Sequence, residues 1–347
     1  MSEINIKDIA KICGVGVSTV SRAINNHPDV NPETKEKILK VIRENHYVPN
    51  NSARNLKRSD SNTIAVLVKG VSNTFFTEMI ETIQNEIKKH NYSMVLHRVE
   101  FDEDEVDVAL ELVKEKRLRG IIFLGGYFVH SEEKLKRLKV PFVLSTAGSI
   151  SKVYNRDDYS SVSVDDMEES RKMTQYLIDL GHRKIALIAT RESDVSVGKL
   201  RIDGYRKALN DNNIKIEKSL ILHMDPNIEE FSSESGYKAM KDFLDEGKKC
   251  TAVFAISDTV AFGAIRAIYD SGLTVPGDIS VAGFDGIKAG EFYIPSLTTI
   301  KQPIDEISRA TSDILFEIIN GSSGHRHEIY PGSFIEREST DRLSSSK

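Results

Sequence analysis

A small all-α helix-turn-helix head, followed by a two-lobed α/β body with doubly wound parallel sheets, is the fold that this sequence predicts. Three observations lead there. A one-faced helical pattern, a glycine turn and a second helix with two unlike faces open the chain. From Asn62 onward, short apolar runs alternate with amphipathic stretches, the pattern of parallel sheets covered by helices on both faces. The alternation lasts longer than one sheet needs, and an acidic, tyrosine-rich break at Val153 to Asp166 marks the crossing between two lobes.

The head, residues 1–48, begins with Ile6 to Cys13, where Ile6, Ile9, Ala10 and Cys13 share one helical face, and Gly14-Val15-Gly16 follows as a turn. Val17 to Asn25 forms the second helix. Val20, Ala23 and Ile24 make its buried stripe, while Val17, Ser18, Ser21 and Arg22 point outward. That outer face has one cation, two hydroxyls, a small apolar tip and no acid. It suits the DNA major groove: arginine grips both acceptors of a guanine edge, hydroxyls reach phosphates or bases, and valine meets a thymine methyl. With Gly16 at the helix entry, phosphate anchoring rests on Thr19, Ser21 and the backbone. A third helix opens with Asn31 as cap and Pro32 in its first turn, and Ile38, Val41 and Ile42 are its core face. The bland alternative is a structural bundle that never touches DNA.

Residues 49–61 are polar, with Ala53 and Leu56 as the main apolar positions and Arg54, Lys57 and Arg58 as cations. So short and polar a helix does not hold alone in water, and order there is expected only on DNA. A flexible linker is the alternative. Residues 1–60 hold ten lysines and arginines against seven acids, net +3, which leaves 37 against 45, net −8, in the rest of the chain. Phosphate attraction is thus confined to one end.

The body spans residues 62–340, before a tail of 341–347. Strands are predicted at Ile64 to Val68, Met94 to Leu96, Gly120 to Leu124, Phe142 to Leu144, Ile185 to Ala189, Leu220 to Leu222, Ala252 to Ile256 and Ile279 to Ala282. Helices fall between them, and the last, Ile304 to Asn320, returns to the first lobe. The first lobe takes about 62–162 and 296–322, and the second about 163–293 and 325–340, with the final strand region.

Several classes of function are excluded at this stage. Of the 347 residues, 39% are hydrophobic and 29% charged, an ordinary soluble balance. There is no run of about eighteen apolar residues and no basic-then-apolar start, so a cytoplasmic chain without a membrane partner is expected. Cys13 and Cys250 read as separate buried thiols. Gly-x-Ser-x-Gly, a phosphate-loop Gly-Lys-Ser/Thr and His-Glu-x-x-His are all missing, and Gly14-Val15-Gly16 lacks the third glycine of a dinucleotide fingerprint. No catalytic residue, cofactor or metal is expected.

In Ile6-Lys7-Asp8-Ile9-Ala10, Val17 through Asn25, Val30 to Thr34, Tyr47-Val48-Pro49-Asn50 and Ala53-Arg54-Asn55-Leu56, the chain resembles the lactose-repressor/galactose-repressor (LacI/GalR) family of bacterial transcription regulators. The family usually has serine where Gly16 stands. The body resembles the family's periplasmic-binding-protein-like, sugar-binding fold. Its markers are Ser72-Asn73 with Phe75-Phe76, Val164-Asp165-Asp166, Leu180-Gly181-His182-Arg183, Arg201 with Gly204-Tyr205, Ser257-Asp258, Val275 through Asp285 and Pro295 through Ile300.

The resemblance implies a ligand-responsive repressor. Two heads of a homodimer would read a pseudo-palindromic double-stranded operator through Val17, Ser18, Thr19, Ser21, Arg22 and Asn25. Ala53, Arg54 and Leu56 would sit in a hinge helix paired over the minor groove, with Leu56 as wedge. With no leucine heptad in the tail, a dimer is expected rather than a four-chain assembly.

A small-molecule effector, a carbohydrate, belongs between the lobes, where strand ends converge. Phe75 and Phe76 would be a wall for the sugar's C–H face, although adjacent phenylalanines at a helix start are often plain core. Arg201 and Asp285 are the implied hydroxyl clamps, with Asp258 and Gln302 as second choices. Arg201 also reads as a surface partner for Asp203. Two departures, Ser257 for the usual asparagine and Glu169 for the usual glycine, are expected to remove a pocket amide and add a carboxylate to the cleft rim. A sugar receptor without transcriptional role and a regulator controlled by a protein partner are the alternatives.

Overall fold

The structure, a computed structural model, describes residues 5–24, 27, 29–45, 62–70, 73–100, 103–126, 132–147, 158–192, 194 and 196–343. It divides into two units, Met1–Ser61 and Asn62–Lys347. Asn25 and the whole predicted hinge, with Ala53, Arg54 and Leu56, lie outside the described residues.

In the head, α1 (Ile6–Cys13), α2 (Val17–Ile24) and α3 (Pro32–Glu44) follow the sequence pattern closely. Asn5 caps α1 through its side-chain oxygen, and Asp8 returns a bond to the Asn5 amide at 2.9 Å. Gly14, with φ 68°, ends α1 in the left-handed conformation that glycine adopts without strain. Asn31 Oδ1 accepts from the Glu33 amide at 2.9 Å, so the Asn-Pro start of α3 caps as predicted. Ile9, Ala10, Cys13, Val20, Ala23 and Ile38 form the head's core, with Ile24, Val41 and Ile42 packed against it.

The body holds two six-stranded sheets among the described residues. The first lobe contains β1 (Thr63–Lys69), α4 (Phe75–Lys89), β2 (Ser93–Val99), α5 (Glu105–Lys116), β3 (Gly120–Leu124), α6 (Glu132–Leu135), β4 (Phe142–Ser145) and β5 (Ser160–Val164). The second contains α7 (Asp166–Asp179), β6 (Ile185–Ala189), α8 (Val197–Asp211), β7 (Ile221–His223), α9 (Ser233–Asp245), β8 (Ala252–Ala255), α10 (Asp258–Asp270), β9 (Ser280–Asp285) and β10 (Thr298–Lys301). The chain then returns through α11 (Ile304–Ile319) and β11 (His327–Tyr330) to the first lobe, and ends in the second with β12 (Ser333–Ile335).

The first sheet runs β11-β5-β4-β3-β1-β2 and the second β12-β10-β9-β8-β6-β7. All described pairings are parallel except β10 with β12, which is antiparallel. Side-chain alternation explains the double winding. Ile64, Val66 and Val68 of β1 pack with α4, while Ala65 and Leu67 pack with Val106 and Ala109 of α5.

Three placements differ from the sequence reading. Ser160 to Val164 lies inside the expected crossing segment yet forms a strand beside β4. β10 belongs to the second lobe, because Thr298 to Lys301 run parallel to Ala282 to Asp285. β11 belongs to the first lobe, because His327 to Tyr330 pair with Ser161 to Val164. A strand's sheet is set by its hydrogen-bond neighbours, which are distant in sequence here.

The last described residues fasten the second lobe. His182 Nε2 donates to the Asp341 carbonyl at 3.1 Å, and Nδ1 lies 3.0 Å from the Thr251 hydroxyl. Burial holds this imidazole below its ordinary value of 6.5, while the Asp341 carbonyl pulls the other way. The unfolded chain therefore binds more protons just below pH 6.5, so the His182 contribution to stability is present above that value and is lost as pH falls below it. In melting curves from pH 8 to pH 5, His182→Gln is expected to flatten this part of the acid destabilisation. An unchanged pH slope would contradict it.

Candidate functional site

On the head, α2 turns out the face that its sequence suggests. Val17, Ser18 and Arg22 are exposed, and Thr19 and Ser21 are half-buried at its edges. The Gly16 carbonyl accepts from the Thr19 amide at 3.0 Å and the Val20 amide at 3.1 Å, so the backbone starts this helix without a hydroxyl. One partner was missed in the sequence. Asp29, in the connection to α3, accepts from Arg22 Nη1 at 2.9 Å and lies 2.8 Å from His27 Nδ1. The exposed Arg22 thus pairs with an acid seven residues on.

In the body, a cavity enclosing about 740 Å³, part of it open to solvent, lies between the lobes. Phe75, Phe76, Arg201, Asp285 and Gln302 all line it. Phe75 and Phe76 stand edge to face, with ring centroids 5.4 Å apart; both line the cavity and both also belong to the buried core, 2% and 9% exposed.

The floor is a buried polar network. Arg201, at the start of α8, is 3% exposed and bonds Asp166 Oδ1 at 2.9 Å, Asp285 Oδ1 at 3.2 Å and the Ile256 carbonyl. Its guanidinium also lies over the Phe284 ring, 3.7 Å from the centroid. The surface reading of Arg201 fails, since Asp203 pairs with Lys199 and Arg206 instead. Gly204 makes this placement possible: a Cβ there would lie 2.1 Å from the Met167 carbonyl oxygen, so only glycine lets α8 close on α7 and bring Arg201 to Asp166.

Asp285 also accepts from Asn73 Nδ2 at 2.8 Å and Gln302 Nε2 at 2.8 Å. Asn73 comes from the first lobe, so this bond crosses the cleft. Burial pushes the Asp166 carboxyl up to about 6, with Arg201 pulling it back, and raises Asp285 against the same opposing cation.

Asp258 requires a correction. It is fully buried and absent from the lining. Its oxygens accept from the Thr299 hydroxyl at 2.6 Å and the Ile287 amide at 2.8 Å, which fixes the turn after β9. That turn matters because Asp285 itself has φ 115°, a strained backbone for any residue but glycine. Asp258 thus positions Asp285. Asp258→Ala is expected to cost about 2 kcal/mol of stability, the penalty for stranding buried donors, and to weaken ligand binding without removing a ligand contact. Chemical denaturation and ligand titration of the same variant check both parts.

Strain gathers around this cavity. Among the described residues, six non-glycine positions have positive φ, and three of them, Thr146, Phe231 and Asp285, line it. Phe231, from the loop before α9, is a second-lobe aromatic to set against Phe75 and Phe76. Nothing in its polar sequence neighbourhood marks it out. Lys69, at the end of β1, was also unforeseen; it pairs with Glu105 at 3.3 Å, with the two side chains only 9% and 4% exposed. Asn73 and Asp166 stood in recognisable sequence words but were not assigned to the site.

The two departures behave differently from expectation. Ser257 is buried and caps α10 by accepting from the Val260 amide. Glu169 is 2% exposed and does not line the cleft. Cys13 and Cys250 are free and buried. Among the described residues, no cluster of three or more potential metal ligands occurs and no helix is long and apolar enough to cross a membrane.

Comparison with known proteins bears on both units. A family model described as bacterial regulatory proteins, lacI family, matches residues 5–50, and one described as periplasmic binding protein-like domain matches residues 174–340. The chain is 43% identical over 337 residues to the HTH-type transcriptional regulator MalR of Clostridium butyricum, covering 96% of this chain and 98% of that one. It resembles the crystal structure of the lac repressor dimer bound to operator and the anti-inducer ONPF, with TM-score 0.72, 27% identity and coverage of 98% and 100%. The complex of transcriptional regulator CelR with cellobiose is similar too, with TM-score 0.70, 28% identity and coverage of 97% and 99%.

Proposed function

Because the chain belongs to the LacI family of bacterial regulatory proteins, we propose that it is a transcriptional repressor whose grip on operator DNA is governed by a sugar bound between its lobes. The head reads base edges with Val17, Ser18, Thr19, Ser21 and Arg22, joined by Asn25, while Ala53, Arg54 and Leu56 engage the minor groove. A homodimer presents two such heads to a pseudo-palindrome. The chain acts in the cytoplasm, where its operator is, and has binding roles with no reaction to catalyse.

One observation carries the effector reading: an arginine held by two carboxylates lies at the base of a cleft whose other wall is aromatic. Sugars ask for that combination, a ring face on carbon and vicinal hydroxyls on a planar cation and its acid. The lining cations and acids are each engaged in ion pairs, Arg201 with Asp166 and Asp285, Lys69 with Glu105, Glu230 with Arg191 and Glu229 with Arg98, which supports a ligand held by hydrogen bonds more than by net charge.

A melting screen with neutral mono- and disaccharides, beside purines and sugar phosphates, tests the reading. At 100 times its dissociation constant the true ligand adds about 2.7 kcal/mol of stability and changes operator binding in parallel. Stabilisation by a purine alone, or by no sugar in a broad panel, would refute the sugar assignment.

A further inference from the structure

Glu169 is buried in the first turn of α7 but takes no part in the cleft. Its Oε1 accepts from the Gly332 amide at 3.1 Å and from Lys172 Nζ at 2.8 Å. Gly332 lies between β11 of the first lobe and β12 of the second, in one of the chain's crossings between lobes. α7 itself begins directly after another crossing, at the end of β5.

The remaining described crossing, from β10 to α11, reaches the same place. A Cβ on Gly332 would lie 2.6 Å from Ile300 Cγ2 and 3.2 Å from Glu169 Cδ. Ile300 is in β10, just before that crossing. The carboxylate, the bare glycine and the isoleucine therefore gather three crossings at one point. Lobe opening needs backbone rotation in these connections, and a crossing whose amide is held by a buried carboxylate on α7 cannot rotate alone.

We propose that Glu169 is a hinge-positioning residue, which ties the β11–β12 crossing to α7 and so sets the balance between open and closed lobes. The pivot is joined to the cleft over a short path. Asp166, on the same helical turn, holds Arg201, and Gln302, two residues beyond Ile300, holds Asp285. The proposal rests on the two-lobed body and not on which effector fills it, so it stands or falls separately from the sugar reading.

The test uses the full-length protein without ligand, spin-labelled through Glu81→Cys on α4 and Lys207→Cys on α8, two exposed positions in different lobes. Labelled chain is diluted with unlabelled chain, and interlobe distances are read by pulsed dipolar spectroscopy. Adding Glu169→Ala is expected to raise the ratio of long to short distances about ten-fold, as loss of one charge-assisted bond implies. Glu169→Gln keeps an oxygen for the Gly332 amide and is expected to stay near the parent.

An unchanged distribution in Glu169→Ala overturns the proposal, even with a lower melting temperature, since that outcome marks a merely structural acid. A glutamine variant displaced as far as alanine overturns it as well. If the alanine variant does not fold, Glu169→Asp, whose carboxylate is drawn back by one methylene, takes its place with the same two readings.

Discussion

Asp285→Ala is expected to lower effector affinity by at least about 100-fold, near 3 kcal/mol, while operator binding survives. The size follows from what the side chain holds together. Asp285 accepts from Arg201, Gln302 and Asn73, so its loss frees a clamp in the second lobe and a contact with the first at once. Arg201 then keeps Asp166, the Ile256 carbonyl and the Phe284 ring but loses one of its two carboxylate partners. Asp285→Asn keeps the shape and one acceptor and is expected to fall between parent and alanine. Titration with a sugar that stabilises the parent, beside an operator-binding assay, separates the two effects. Undiminished ligand response in the alanine variant would mean that the clamp has been misplaced.

The second large effect concerns the head. Arg22→Ala is expected to lose roughly 1–3 kcal/mol of base discrimination per half-site, doubled in a dimer, while binding to random duplex changes little. Arg22→Lys is expected to lose most of the same discrimination, because an ammonium cannot grip two acceptors of one base edge at once. Asp29 accepts from Arg22 in the absence of DNA, but both side chains are largely exposed, so this contact is expected to add little to the effect. Selection from a pool of randomised duplexes reads the preference directly. The same selected base in parent and variant would remove α2 from its reading role.

Much of this was visible in the residues, for reasons that are local. The Asn31-Pro32 start of α3 and the glycine end of α1 are written in single residue types whose chemistry admits few alternatives. Long apolar runs such as Ile185 to Ala189 announced their strands in the same way. Ser160 to Val164 did not, because its buried inward positions alternate with serines and it shows no apolar run. β10 and β11 were recognisable as extended, yet their sheets depend on partners far along the chain that no local pattern records.

The site divides along the same line. Arg201, Asp285 and the two phenylalanines, named first from the resemblance, and Gln302, named as a second choice, line the cavity. Asp258 carries the same word but serves the backbone behind the site, and Glu169, expected at the rim, is turned toward a crossing instead. Charge and position in sequence were legible for both acids. Which way each side chain faces was decided by helix packing.

The order in which the chain visits its two sheets bears on its birth at the ribosome. One sheet waits for His327 to Tyr330 and the other for Ser333 to Ile335, so neither half of the receptor can be sealed before almost all of it has been made. The head, whose hydrophobic core lies between Ile6 and Ile42 among the described residues, faces no such wait. A nascent chain should therefore carry a finished DNA reader well before it carries a working sensor.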